Sequence, residues 1–161
     1  GRQVRVRLTG SAVAELANAA IARGEMPGRY TEKGKADPQG PLQAALAWER
    51  GDRPLKALLW RTEGTCMTAR IGGTPSLQAA RRQVTVRLAD GRVEDVQGSL
   101  LIQAGAWLKG LWDQTFTVTR TVAAETRLAL GARRLTLGVV DARADADGVT
   151  LGLDVQTGPA K

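Results

Sequence analysis

The acidic residues that come closest to a metal-binding spacing are Asp141, Asp145 and Asp147. A calcium loop with that spacing continues to a bidentate glutamate at its last position. Here the chain instead enters the alternating run from Val149 to Val155. The spacing therefore favours a turn between two strands, and we predict neither a metal site nor a cofactor.

Side chains that could carry out catalysis are few. Glu94 and Asp95 are adjacent, and adjacent residues of a strand face opposite ways. Cys66 is the single cysteine, and its neighbours Thr65 and Met67 supply no acid or base, so the sequence predicts a buried, unreactive thiol. The chain has no histidine, which is the commonest general acid or base at neutral pH. We therefore expect a protein that is not an enzyme.

Two arginine pairs could bind anions, the alternative being that they are solvent-exposed charges flanking the strands. Arg81 with Arg82, and Arg133 with Arg134, stand without interleaved aromatic residues, a weak signal for nucleic acid. The glycine-rich segment 71–75 lacks the following Lys-Ser or Lys-Thr of a phosphate-binding loop. The net charge of +7 suits anionic lipid head groups, although arginine-rich composition alone also produces it. Nucleic acid is not favoured as a partner, and Arg133 and Arg134 are candidate head-group contacts.

Two tryptophans give the strongest binding signal. Trp107, Leu108, Leu111 and Trp112 fall on one side of a short helix or helical loop. Such a group packs into a core, closes over an apolar cavity as a lid, or contacts a membrane interface. We take these four residues as the candidate ligand-binding or membrane-binding group, with core packing as the alternative.

The elements that would position these residues are mostly strands. Strands are predicted, mostly from alternating apolar and polar residues, over 2–8, 42–48, 54–61, 65–71, 83–89, 92–96, 99–104, 115–120, 124–130, 134–142 and 148–156. The segment 42–48 also has helical propensity, so a helix is the alternative there. Asp90-Gly91 predicts a tight hairpin turn, and Gly72, Gly73 and Pro75 predict the end of a strand. Residues 24–41 predict a long loop.

A single helix is predicted from Ser11 to Arg23. It follows Thr9, a candidate N-cap, and stops at Gly24. We expect it to bury Val13, Leu16, Ala20 and Ile21 against the sheet. The length fits one domain over residues 1–161. The fold class is therefore α+β, with a strongly curved antiparallel β-sheet wrapped on one main helix, the alternative being an all-β sandwich or barrel with a peripheral helix.

The order of elements resembles the tubular lipid-binding (TULIP) superfamily, which includes bactericidal permeability proteins and related bacterial envelope proteins. The resemblance rests on the strand Val4-Arg5-Val6-Arg7-Leu8, a slim helix carrying Leu16-Ala17-Asn18, and meandering strands that end in 135–139 and 149–155. It implies a curved sheet around a helix and an apolar lining, with no signature side chains to transfer. The helix, of roughly four turns, is shorter than a full tubular domain has.

The resemblance and the charge together predict a non-enzymatic protein of the bacterial cell envelope or periplasm. It would bind a lipid, another apolar ligand or an anionic membrane surface. The alternative is a structural or assembly subunit of an envelope machine or a virus-like particle, with protein partners in that assembly.

Overall fold

The computed structural model describes residues 2–31, 35–61, 63, 66–98 and 116–159. Over these residues the chain forms antiparallel strands and one helix, in two sheets. The elements are β1 Arg2–Thr9, α1 Gly10–Ala22, β2 Arg29–Tyr30, β3 Leu42–Trp48, β4 Leu55–Arg61, β5 Met67–Ala80, β6 Gln83–Gly98, β7 Phe116–Ala123, β8 Glu125–Leu130, β9 Arg133–Asp145 and β10 Gly148–Pro159.

The strands divide into a six-stranded sheet and a four-stranded sheet. The six-stranded sheet has the order β2-β3-β4-β5-β6-β7 and curls into a half-barrel, and the four-stranded sheet has the order β1-β10-β9-β8. The predicted fold class, a curved antiparallel sheet with one helix, is confirmed.

The two sheets are joined at Ala124, between β7 and β8. Its N–H donates to the carbonyl of Arg82, in the β5–β6 turn of the six-stranded sheet (2.9 Å), and its carbonyl accepts from the N–H of Val139 in the four-stranded sheet (2.9 Å). β5 also contacts β9 across the same junction. A strand that leaves one sheet and enters another makes a corner between them.

The main core lies in the six-stranded sheet. Leu42 is 1% exposed and clusters with Met67, Ala69, Val93 and Val96. These residues occupy one face because their registers match: Ala69 pairs with Val96, and Met67 and Ala69 lie two residues apart on β5. Tyr30, Leu59 and Ile71 pack against the cluster.

The helix runs from Gly10 to Ala22 with Thr9 as its N-cap, and its end is marked by Gly24 at φ +74°. Ala14 is buried and Asn18, one turn later, hydrogen-bonds to β3, so this face meets the sheet. Leu16 lies two residues from Ala14, points away and is 56% exposed. The expected burial of Leu16 is therefore wrong, and Val13, Ala20 and Ile21 are half-buried.

The predicted hairpin at Asp90-Gly91 is also wrong. β6 continues through both residues, and Asp90 at φ +53° belongs to an irregularity where the registers with β5 and β7 shift. Likewise Gly72, Gly73 and Pro75 do not end β5. The true hairpin turn joins β5 to β6 at Arg81 and Arg82, which adopt φ +50° and +61°. Positive φ at both central residues is the geometry of a type I′ turn, but arginine is an unusual occupant, so the sequence held no cue.

Candidate functional site

One face of the four-stranded sheet is almost wholly apolar. The register places on it four sets of residues, one per strand: Val4, Val6 and Leu8; Leu128 and Leu130; Leu135, Leu137 and Val139; Val149, Leu151, Leu153 and Val155. We call this the apolar face. The opposite face carries the acidic residues of these strands, among them Glu125, Asp141 and Asp154.

Burial along the apolar face changes from one end to the other. At the end nearest α1, Ala142 is 3% and Val149 7% exposed. In the middle, Leu137 and Leu153 are half-buried. At the far end, Leu128 is 43% and Leu130 59% exposed, and Val4 at the β1 edge is 44% exposed. Water therefore reaches aliphatic side chains at both edges of this sheet, on β8 and on β1.

Arginine is the charged residue type on this face. Arg133 is the cross-strand partner of Leu130, and Arg2 that of Val155, so both arginines share the face with the leucines. Both are exposed. Arg134 pairs with Ala129 and therefore lies on the opposite, polar face. The structure thus separates the two predicted head-group contacts and leaves Arg133 beside the exposed leucines.

The other candidate residues, Trp107, Leu108, Leu111 and Trp112, lie outside the described residues.

The polar face is occupied by ion pairs that hold the sheets together. Glu125 is 17% exposed and binds both Arg82, from the β5–β6 turn, and Arg127 (2.9 Å). These two arginines lower the pKa of Glu125, with the hydrogen bond from Arg127 as the larger cause. Arg82 also lies over Gly138, where its Cγ is 3.8 Å from the position a Cβ would take. Glu125, Arg82 and Arg127 therefore neutralise one another within the fold.

Asp145 and Asp147 lie at the turn between β9 and β10 that the sequence favoured, whereas Asp141 lies within β9. Asp145 accepts from Arg7 on β1 (2.7 Å) and from the backbone N–H of Asp147 (2.8 Å) and Gly148 (3.1 Å). The Arg7 guanidinium and these N–H groups lower the pKa of Asp145 to about 2. Within the described part of the chain, no three His, Cys, Asp or Glu residues are arranged to hold a metal ion.

A second open space lies at the end of the helix. It is a cleft of about 710 Å³ between α1, the segment after it and strands β3 and β4. Its apolar lining includes Ile21, Met26, Pro38 and Trp60, and Met26 is 40% exposed. Clefts of this size hold small organic ligands.

A buried ion pair was not anticipated from the sequence. Lys56 is 9% exposed, and its Nζ lies 2.7 and 2.8 Å from the two carboxylate oxygens of Glu94. Glu94 falls in the register shift of β6 opposite Arg70 and Ile71, and Gly72 leaves the room in which the two side chains meet. The one cue was a lysine inside the apolar run 55–59.

Cys66 is exposed, so its expected burial is wrong. Among the described residues, no helix has the length and apolar character needed to cross a membrane. The chain matches no protein-family model, and comparison with curated proteins and with solved structures gives no match either.

Proposed function

We propose that this protein is a non-enzymatic binding protein whose apolar face takes the acyl chains of an anionic lipid, either a single molecule or a membrane surface. One observation carries the proposal: Leu128, Leu130 and Arg133 lie on the same face of the β8–β9 hairpin. The two leucines are 43% and 59% exposed. Transfer of exposed aliphatic surface from water into an acyl-chain environment is favourable. A guanidinium beside it pairs bidentately with a phosphate oxyanion.

The segregation of charge supports an anionic ligand. The described strands place Arg2 and Arg133 on the apolar face and their acidic residues on the other. A phosphate group at the far end of the face would therefore meet positive charge, without a carboxylate from these strands beside it. Basic residues near an anionic surface contribute about 1 kcal/mol each to binding.

A location in the bacterial cell envelope and kinship with tubular lipid-binding proteins remain part of the proposal. Their support is the curved antiparallel sheet with one helix and the resemblance in element order. Trp107 and Trp112 remain sequence-based candidates for interfacial aromatic contacts with the lipid.

The test is flotation of the protein with vesicles of phosphatidylglycerol and, separately, of phosphatidylcholine. We expect binding to the anionic vesicles that falls as salt is raised, because salt screens exposed charges. The double variant Leu128→Ser/Leu130→Ser should lose most of the binding, and so should Arg133→Glu.

The matched control is Arg134→Glu, which makes the same charge change one residue away on the polar face. It should bind vesicles as the native protein does. Equal loss in Arg133→Glu and Arg134→Glu would reduce the effect to net charge and contradict the proposed face.

Two further variants locate the ligand. Met26→Gln changes the cleft at the helix end, and Trp107→Ala/Trp112→Ala changes the tryptophan group. Loss of binding in Met26→Gln with full binding by Leu128→Ser/Leu130→Ser would move the site from the apolar face to the cleft. Mass spectrometry of the protein purified under native conditions checks for a bound lipid.

A further inference from the structure

β1 forms an edge of the four-stranded sheet, with β10 as its partner. The N–H of Gly10 donates to the carbonyl of Asp147 (2.9 Å), which continues the register of the β1–β10 ladder. Inward and outward backbone groups alternate along an antiparallel edge strand. The even-numbered residues of β1 therefore bond to β10, and Gln3, Arg5 and Arg7 direct their N–H and C=O groups away from the sheet.

The corresponding edge of β3 is closed by the fold itself. The side chain of Asn18 donates to the carbonyl of Leu46 (2.8 Å) and accepts from its N–H (2.7 Å), as a neighbouring strand would. The carbonyl of Gly28 accepts from the N–H of Ala44 (2.9 Å). Within the described residues, the outward groups of Gln3 and Arg5 have no comparable cover.

The side chains along the open edge combine two chemistries. Val4 and Val6 lie on the apolar face, and Arg5 and Arg7 on the polar face. Arg7 is paired with Asp145. Arg2 and Arg5 are exposed and form no ion pair with the part of the chain that the structure describes. The edge therefore presents unpaired backbone groups between the apolar Val4 and Val6 on one face and the unneutralised Arg5 on the other.

We propose that β1 binds an extended segment of a partner protein in which apolar and acidic residues alternate. The segment would add a fifth strand to the four-stranded sheet through the backbone groups of Gln3, Arg5 and Arg7. Its apolar side chains would continue the apolar face beside Val4 and Val6, and its acidic side chains would neutralise Arg5. A second copy of β1 is a poor occupant, because antiparallel pairing of this strand with itself sets arginine against arginine.

The experiment measures fluorescence anisotropy of a labelled peptide of alternating valine and glutamate. A peptide with lysine in place of glutamate is the charge control. We expect saturable binding of the glutamate peptide that weakens with salt, and binding of the lysine peptide weaker by at least about tenfold. Equal binding of the two peptides, or no binding of the glutamate peptide up to about 1 mM, would overturn the proposal.

Variants then assign the binding to the edge. Gln3→Pro removes one outward N–H and leaves the bonds to β10 in place, and Arg5→Glu reverses the charge. Each should weaken peptide binding by about tenfold. The control Arg143→Glu makes the same charge change on β9, away from the edge, and should leave binding unchanged.

Circular dichroism checks that each variant keeps the native sheet content. If Gln3→Pro does not fold, Arg5→Glu alone decides the outcome. Unchanged binding by Arg5→Glu contradicts the proposal. The native protein could instead bind no peptide and form a dimer, seen by light scattering, that Arg5→Glu abolishes. That result would show that the β1 edge binds a second copy of this chain and not a partner segment. Vesicle binding through Leu128 and Leu130 is measured separately, so failure of either proposal leaves the other standing.

Discussion

In the six-stranded sheet Leu42 is 1% exposed and packs among Met67 and Val96, whereas in the four-stranded sheet Leu130 is 59% exposed. Both leucines belong to short antiparallel strands, Leu42 to β3 and Leu130 to β8. The difference arises from what lies against each strand. Curling brings the inner side chains of the six-stranded sheet together, but the far end of the four-stranded sheet has no such cover among the described residues.

The two sheets also differ in whether the backbone groups at their edges are hydrogen-bonded. Asn18 closes the edge of β3 with two hydrogen bonds, and the outward groups of β1 have no counterpart to Asn18 among the described residues. A sequence that forms a strand therefore does not decide whether that strand becomes part of the core or an exposed surface. We infer that the six-stranded sheet supplies most of the stability and the four-stranded sheet most of the accessible surface for ligands.

The largest expected effect is that of Leu42→Ala. Removing a fully buried leucine side chain should lower the free energy of unfolding by about 3 kcal/mol. Leu128→Ala, in which the native side chain is 43% exposed, should lower it by less than about 1 kcal/mol. Urea unfolding followed by circular dichroism measures both. Equal losses for the two leucines would refute the assignment of stability to the six-stranded sheet.

The next effect is expected at the buried ion pair. Lys56→Met leaves the Glu94 carboxylate, 24% exposed, without its cation and should cost about 2 kcal/mol. The double variant Lys56→Met/Glu94→Leu should recover most of that loss, because both charges are then gone.

The control for the ion pair is Arg143→Met. Its partner Asp141 lies 3.5 Å away and both side chains are exposed, so no measurable change is expected. A double variant as unstable as Lys56→Met alone would show that packing, and not the unpaired charge, accounts for the loss.

A smaller effect is expected when the β3 edge is opened. Asn18→Ala removes two hydrogen bonds to Leu46 and should cost about 1.5 kcal/mol. Hydrogen exchange at the Leu46 amide should accelerate toward the rate at Arg5, which faces outward from β1. An unchanged rate at Leu46 would mean that Asn18 does not protect this edge.

The smallest effect is a change in pH dependence within the four-stranded sheet. The pKa of Asp145 is about 2 in the folded protein, against an ordinary value of 3.8. A carboxyl with a lowered folded pKa stabilises the fold above its unfolded value, and this contribution is lost as the pH falls from 3.8 toward 2. Arg7→Met should flatten the stability curve in that window when urea midpoints are compared. A curve as steep as that of the native protein would show that Arg7 does not set this pKa.

Several local cues in the sequence were informative. The structure confirms the strands predicted over 42–48 and 54–61, the second of which begins at Leu55, and it confirms the Thr9 cap and the Gly24 stop. The prediction of turns from residue type was wrong where the backbone adopted a conformation that the residue types do not indicate. Asp90-Gly91 became an irregularity inside a long strand, and two arginines adopted the positive φ angles of the hairpin turn.

The candidate site was predictable only in part. Alternation implies that each strand of the four-stranded sheet has an apolar side, and that Arg133 and Arg134 face opposite ways. The register that sets Leu130 beside Arg133 depends on the turn at Gly131, and the exposure of that end depends on how two sheets meet. The sequence of a single strand determines neither the register nor the exposure. For the same reason the ion pair between Lys56 and Glu94, which are thirty-eight residues apart, could not be predicted.

The junction at Ala124 has a consequence for motion. The N–H of Ala124 donates to the carbonyl of Arg82, in the β5–β6 turn of the six-stranded sheet. The carbonyl of Ala124 accepts from the N–H of Val139 in the four-stranded sheet. Any movement that separates the sheets at this point must break one of these two bonds. The hydrogen-exchange rates of the Ala124 and Val139 amides therefore report how often the two sheets separate at this point. A ligand that binds between the sheets and separates them would raise both rates, and a ligand that holds the sheets together would lower them.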